Sequence, residues 1–369
     1  MPRTPTLRVL IATPFGARRP GGIDRLTDLI VDTIERQAAD RIQVSRLVTR
    51  GTGSLLWAPF VFCRALMQFW TIKRRGEVDL LHINVAADGS AIRKAVLARV
   101  ARSLGVPYVV HLHGSRFHQF WPSTGPRVRK MVNQLFADSA AIIVLGKYWS
   151  QLVKSYVPQA AGKTIVLPNA TAPTSVAREP AVDGRVRISF LGQLGQRKGT
   201  PQLIEALGRL ADRRDWTATI AGNGQVQETI VRTRELGIGD RVNVPGWLDA
   251  SAINDVLRKT DVFVLPSFAE NLPMSILEAF ACGIAVIATP VGSVEDVVAH
   301  GANGLIVPAG DVDALTAALV QLIEDGKLRD RLGSAAKSDH AKHYEISSYL
   351  SRLTAIWRSA AGSTEQSSG

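Results

Sequence analysis

Cysteine is scarce in this chain: Cys63 and Cys282 are the only two in 369 residues. Two thiols cannot staple a chain of this length or form a Cys-based zinc site, and a reduced, cytosolic setting fits best. Long apolar runs are missing too, since no window reaches the roughly 18–20 uninterrupted apolar residues that span a bilayer. The opening MPRTPTLRVLIATPFG carries only a short apolar stretch, Leu7 to Ala12 around Arg8, before turn chemistry begins. It reads as a first strand rather than a signal peptide. The dinucleotide pattern G-x-G-x-x-G is absent from the turn that follows, which argues against an NAD enzyme. There is no zinc finger and no RNA-binding aromatic motif, so no nucleic-acid partner is expected.

What is present describes a packed protein. Hydrophobic residues make up 46% and charged residues 21%, which excludes general disorder, and the length makes two domains the default. Net charge is +12, unevenly spread. Residues 1–180 hold 25 Lys and Arg against 10 Asp and Glu, whereas the remainder hold 19 against 22. A basic half beside a nearly neutral half points to one domain working near an anionic surface or substrate. Membrane, nucleic acid and phosphorylated ligands all satisfy composition alone.

Short apolar runs alternate with helix-length amphipathic stretches, the pattern of parallel βαβ units. Strands are expected at Leu7–Ala12, Ile42–Val48, Leu80–Asn84, Tyr108–His113, Ala141–Leu145 and Thr164–Leu167. After a Pro/Ala/Thr-rich linker, Pro168–Gly184, they resume at Arg187–Leu191, Trp216–Ala221, Arg241–Pro245, Val262–Leu265, Ala285–Ala288 and Gly304–Val307. The fold class is therefore α/β, with doubly wound parallel-sheet domains over 1–175 and 176–345. A C-terminal helix over 346–361 and a mobile tail over 362–369 complete the chain. Ligands of such sheets sit at the carboxyl ends of the strands, so a cleft between the two domains is the expected site. Leu55–Trp70, followed by Lys73-Arg74-Arg75, is the most apolar helix candidate, interrupted by Pro59 and Arg64. It is either packed on the sheet or an interfacial helix with a basic collar.

Several loops carry chemistry. Pro20-Gly21-Gly22 follows the first strand and suits either a phosphate at a helix N-terminus or an ordinary turn. Alternation puts His111 and His113 on one face at a strand end, where a neutral histidine bonding a polyhydroxyl ligand suits the pair better than zinc. Gly192–Gly199 contains adjacent Arg197 and Lys198 at a helix start, an arrangement suited to a diphosphate. The strongest signal runs from Leu265 to Gly283, with Glu270 in a loop, Pro273 in the first helical turn and Glu278 one to two turns on. Carboxylates placed there can accept hydrogen bonds from sugar hydroxyls. Asp311-Val312-Asp313 resembles a metal motif but sits where a helix cap belongs.

Taken in order, these residues resemble the large "group 1" class (family 4) of retaining glycosyltransferases. The resemblance spans Gly21-Gly22, His113-Gly114, Pro168-Asn169, Lys198-Gly199, the E-x7-E block Glu270–Gly283, Val291-Gly292 and Gly301–Leu305. It is nearest to members that build bacterial exopolysaccharides and surface glycans, and it implies the GT-B arrangement of two Rossmann-like domains facing a cleft. The first domain would receive the acceptor and the second the nucleotide sugar, with the C-terminal helix packing back on the first. Two departures stand out: Gln193 replaces a usual Arg, and Ala170 replaces the Gly of Pro-Asn-Gly.

The resemblance implies transfer of a sugar from a UDP- or GDP-sugar to a hydroxyl, with no cofactor and no essential metal. His113 and Glu270 would be catalytic. Gly22, Arg197, Lys198, Asn271 and Leu272 would hold the donor diphosphate, Glu278 the ribose, and Trp247 and Leu248 the base. The expected acceptor is a lipid-linked oligosaccharide, met by a cytoplasmic protein lying peripherally on the anionic inner face of the cell membrane. A soluble small-acceptor transferase and a GT-B sugar-nucleotide epimerase are the alternatives.

Overall fold

In the computed structural model, residues 6–17, 21–37, 41–174, 178–179, 181 and 183–362 are described. Pro20 of the glycine turn, linker residues 175–177, 180 and 182, and the tail from Ser363 lie outside the described residues. The chain divides into two compact units, one comprising residues up to Asn169 together with those from Ile346 on, the other Ala170–Glu345. The division falls six residues before the boundary drawn from sequence at 175. Thr171 explains the difference: its N–H donates to the Tyr344 carbonyl and its hydroxyl meets His340 Nε2 at 2.7 Å, tying this stretch to the second unit.

Unit one holds a six-stranded parallel sheet of β1 (Leu7–Thr13), β2 (Ile42–Val48), β3 (Leu80–Val85), β4 (Tyr108–Leu112), β5 (Ala141–Val144) and β6 (Thr164–Val166). Its order is β2-β1-β3-β4-β5-β6. The helices α1 (Gly22–Gln37), α2 (Ala58–Arg74), α3 (Gly89–Ser103), α4 (Phe117–Ser123), α5 (Pro126–Ala137) and α6 (Lys147–Tyr156) connect these strands. Central strands β3, β4 and β5 are buried at every position, as a sheet covered on both faces requires.

Unit two repeats the plan with β7 (Val186–Leu191), β8 (Trp216–Ala221), β9 (Val242–Gly246), β10 (Val262–Leu265), β11 (Ala285–Ala288) and β12 (Leu305–Ile306). Its helices are α7 (Thr200–Gly208), α8 (Val226–Glu235), α9 (Ala250–Arg258), α10 (Met274–Ala281), α11 (Val312–Glu324) and α12 (Gly326–Asp339). The strand order β12-β11-β10-β7-β8-β9 reverses direction between β7 and β10. In unit one the reversal lies between β1 and β3. Such switch points open a crevice at the carboxyl ends of the strands. The last helix, α13 (Ile346–Gly362), belongs to unit one, where it buries Tyr349, Leu350, Leu353 and Trp357.

Both switch points are locked at their opposite, amino ends by the same clamp. Arg8 donates to Asp79 Oδ2 through its main-chain N–H (2.8 Å) and its Nε (3.0 Å). Arg187 does the same to Asp261 Oδ2, at 2.9 and 3.0 Å. In each case an arginine near the start of the unit's first strand grips the aspartate just ahead of its neighbour. The clamp fixes relative strand height and leaves the carboxyl ends to carry the loops.

Two expectations change in detail. Pro59 does not interrupt the apolar helix: it occupies the first turn of α2, after a 3-10 turn at Leu55–Trp57, where a missing N–H costs nothing. Pro273 lies one residue before α10 rather than inside its first turn.

Candidate active site

The switch point of unit two assembles most of the residues singled out by sequence. The loop after β7 delivers Arg197 and Lys198, and the loop after β10 delivers Glu270. Lys198 Nζ lies 2.5 Å from Glu270 Oε1, and the Ser267 hydroxyl donates to the same oxygen at 2.7 Å. Glu270 is only 7% exposed, so its charge depends on these partners. Arg197 is exposed, yet its Nη1 donates to the Ala269 carbonyl at 3.2 Å while its own carbonyl accepts from the Phe268 N–H. The two basic residues and the carboxylate loop are thus fastened together at main-chain and side-chain level.

Two glycines make this closeness possible. At Gly199, φ is +69° and a Cβ would stand 1.9 Å from the Pro266 carbonyl oxygen. At Gly292, φ is +63° and a Cβ would stand 2.2 Å from the Glu270 carbonyl oxygen. Only glycine tolerates that conformation and that approach together. Next to it, the Ser293 N–H donates to the Asn271 carbonyl at 2.7 Å, so the loop after β11 forms the floor under Glu270.

Asn271 and Leu272 are buried in the lead-in to α10, and Glu278 is half-buried on that helix, five residues into it. Burial, with the Glu278 charge also contributing, pushes the nearby Cys282 thiol up from its ordinary value. Trp247 and Leu248 follow β9, at the edge of the sheet and two strands away from β7; Trp247 is exposed and Leu248 half-buried. Asp311 accepts from the Ala314 N–H at 2.9 Å as the cap of α11, and Asp313 pairs with Arg209. No cluster of three or more His, Cys, Asp or Glu side chains suited to a metal ion occurs among the described residues.

In unit one, Gly22 is the first residue of α1 and His113 follows β4. The turn before α1 is held by Asp24, whose Oδ1 accepts from the main-chain N–H groups of Gly16 (3.1 Å) and Phe15 (3.3 Å). Beneath it, the buried ammonium of Lys94 donates to the Ala12 carbonyl and Thr49 Oγ1. His113 Nε2 lies 3.0 Å from Asn84 Oδ1, and its ring packs 3.9 Å from that of His111, centroid to centroid. His82 completes the cluster, 3.2 Å from Asn84 Oδ1 and 3.3 Å from His111 Nδ1. Burial lowers the pKa of His82 to about 4. Burial and then the neighbouring His82 lower His113 to about 3, and His111 is also held well below 6.5. These rings are neutral hydrogen-bonding groups.

Sequence reasoning missed Ser267, His82 and Asn84. Strand alternation could have found the last two, because β3 and β4 pair Asn84 with His111 in register. Ser267 sits in the β10 loop, three residues ahead of Glu270, and its role shows only in the folded loop.

Residues 7–170 match the family described as Glycosyl transferase 4-like domain, and residues 173–339 match Glycosyl transferases group 1. The chain is a glycosyltransferase. Among relatives of this enzyme, the 2-deoxystreptamine glucosyltransferase of Streptomyces kanamyceticus is 27% identical, over 77% of this chain and 78% of that one. The phosphatidyl-myo-inositol mannosyltransferase of Mycolicibacterium smegmatis is 25% identical, over 96% and 95%. In fold, the glycosyltransferase resembles sucrose-phosphate synthase from Thermosynechococcus elongatus, with a TM-score of 0.77 at 16% identity over 95% of this chain and 98% of that one. Anabaena Alr3699/HepE, solved in complex with UDP and glucose, gives 0.73 at 20% identity over 96% and 100%. The GT-B fold expected from sequence is the fold of this enzyme.

Two outcomes follow from this geometry. Gly292→Ala should push the Glu270 peptide from its place and lower turnover by about 10²-fold, the scale of a 1 Å misplacement; turnover assays on the folded variant check this. The histidine cluster makes stability pH-dependent. Because folded His82 and His113 titrate near 4 and 3 while unfolded histidine titrates near 6.5, the unfolded chain takes up protons first. Stability is therefore complete above about pH 6.5 and falls toward pH 4, by about 1.4 kcal/mol per pH unit for each neutral ring. Urea unfolding at pH 7 and pH 5 measures the slope.

Proposed function

We propose that this glycosyltransferase moves a sugar from a UDP- or GDP-sugar to a hydroxyl of a lipid-linked oligosaccharide, with retention of anomeric configuration, in the building of a surface polysaccharide. As the glycosidic bond breaks, negative charge gathers on the departing diphosphate. Lys198, Arg197 and the N–H groups leading into α10 supply fixed positive charge and donors for it, stabilising the transition state more than the ground state. That donor set would serve the leaving group without a metal ion. Glu278 would hold the ribose hydroxyls, Glu270 would face the donor sugar, and the loop at Trp247 and Leu248 would meet the base. From unit one, Gly22 would contribute main-chain groups at the α1 terminus, and His113 would bond a sugar or acceptor hydroxyl.

The observation that carries the lipid-linked acceptor is the outer face of α2. Its inner face is spent on the core through Ala65 and Phe69. Yet its outer face and the preceding turn expose Leu56 (82%), Trp57 (64%), Phe60 (69%), Met67 (65%) and Trp70 (47%). Phe60, Arg64, Met67, Trp70 or Thr71, and Arg74 recur at helical spacing, and the Arg74 guanidinium lies 4.3 Å from the Trp70 ring centroid. An apolar stripe ending in Lys73-Arg74-Arg75 has the chemistry of a helix lying in an anionic bilayer interface. No helix among the described residues is long and apolar enough to cross a membrane. The mannosyltransferase relative is named for a phosphatidylinositol acceptor, which supports this reading; the 2-deoxystreptamine relative is named for a small one, which supports a soluble acceptor.

Hydrolysis of UDP-, GDP- and ADP-sugars by the purified enzyme identifies the donor. Lys198→Ala and Glu278→Ala should each lower turnover by roughly 10²-fold or more, and activity should persist in EDTA. Near-normal turnover in both variants would remove the assigned donor site. For the acceptor, co-sedimentation with anionic vesicles at low salt should be lost when Lys73, Arg74 and Arg75 are replaced by Glu, and weakened when Trp57 and Phe60 are replaced by Ser. Donor hydrolysis should change little in these variants. No sedimentation of the native enzyme at low salt would favour the soluble acceptor.

A further inference from the structure

The indole of Trp357, on α13, donates from Nε1 to His82 Nδ1 at 3.0 Å inside unit one. An indole N–H can only donate, so His82 Nδ1 must carry the lone pair. A neutral His82 then bears its proton on Nε2, which faces Asn84 Oδ1 at 3.2 Å and His111 Nδ1 at 3.3 Å. Both must accept. The Asn84 amide is thereby fixed with its oxygen toward the histidines, and His113 Nε2, 3.0 Å from the same oxygen, must be a donor.

From this chain of forced donors and acceptors we infer that Trp357 is a positioning residue. Acting through His82 and Asn84, it sets His113 as the Nε2–H tautomer and leaves His113 Nδ1 as a standing acceptor. The main chain reinforces the pose, since the His113 N–H donates to the Val85 carbonyl at 2.8 Å. The low pKa values of His82 and His113 keep both rings in the neutral forms that the relay needs. The relay carries a cost, because its logic puts the His111 proton on Nε2, a buried atom with no hydrogen-bond partner among the described residues. A buried unmet donor is retained where the arrangement serves something other than stability.

The consequence for ligand class rests on the reading of His113 as a site residue. Its Nδ1 accepts from a hydroxyl, as a sugar or alcohol offers, and has no proton to give to a phosphate or carbonyl oxygen. His113 would therefore orient a hydroxyl and would not act as a general acid.

The test is long-range ¹H–¹⁵N correlation on the ¹⁵N-histidine-labelled full chain, with His113 assigned by His113→Gln. The native enzyme should show His82 and His113 each as a single Nε2–H tautomer. Trp357→Phe keeps an aromatic ring but removes the donor; it should give mixed tautomers at both residues and lower kcat/KM about 3- to 10-fold, the size of one hydrogen bond. His82→Phe should have the same effect on His113, and adding Trp357→Phe to it should bring no further change. A His113 tautomer unchanged in Trp357→Phe, or one that is Nδ1–H in the native enzyme, would overturn the relay. A tautomer shift with undiminished kcat/KM would leave the relay standing and instead remove His113 from the site.

Discussion

A carboxylate that is almost fully buried needs a fixed cation beside it, and Glu270 obtains one from a loop 72 residues earlier in the chain. Much of unit two is arranged to bring that pairing about. The sheet order puts β7 next to β10, so the Lys198 loop and the Glu270 loop leave adjacent strand ends. Ser267 shares the same carboxylate oxygen, and Gly292 lets the next loop close up underneath. Desolvating either charge without the other would cost several kcal/mol, so the pair and its loops hold together or fail together. An anionic ligand entering here would find an ammonium already placed, with a carboxylate beside it to receive hydroxyl protons.

Unit one solves a different problem with different chemistry. Its strand ends hold neutral rings and an amide rather than an ion pair, and burial keeps the imidazoles uncharged. Most of its charge lies on the helices outside, most visibly at the basic end of α2. The +15 balance of the first 180 residues is thus largely a property of the surface, with Lys94 and Asp24 as the buried amino and carboxyl side chains among the described residues of that unit.

The alternation of apolar strands and amphipathic helices made the doubly wound fold legible, and the E-x7-E block made the candidate residues of unit two legible, because those signals lie within single short segments. Lys198 and Glu270 were each visible as candidates, but their contact depends on which strands become neighbours, which no local pattern reveals. The same holds for the His82–Asn84–His113 group, drawn from two strands, and more strongly for Trp357, 275 residues from the ring it bonds. Leu55–Trp70 was legible only as a choice between two roles. The structure bears out the packing role, since Phe69 is in the core, and leaves Phe60 and Trp70 outside it.

The placement of α13 also bears on how the polypeptide matures on the ribosome. The sheet of unit one is fully synthesised by Val166, yet the helix that covers His82 with Trp357 emerges only after all of unit two, 176 residues later from Ala170 to Glu345. At about 5–20 residues per second that interval lasts roughly 9–35 s. Throughout it, the face awaiting Leu353 and Trp357 is open to water and to chaperones. Unit two has no such wait, being one contiguous segment. The second unit can close while the first is still missing its last piece.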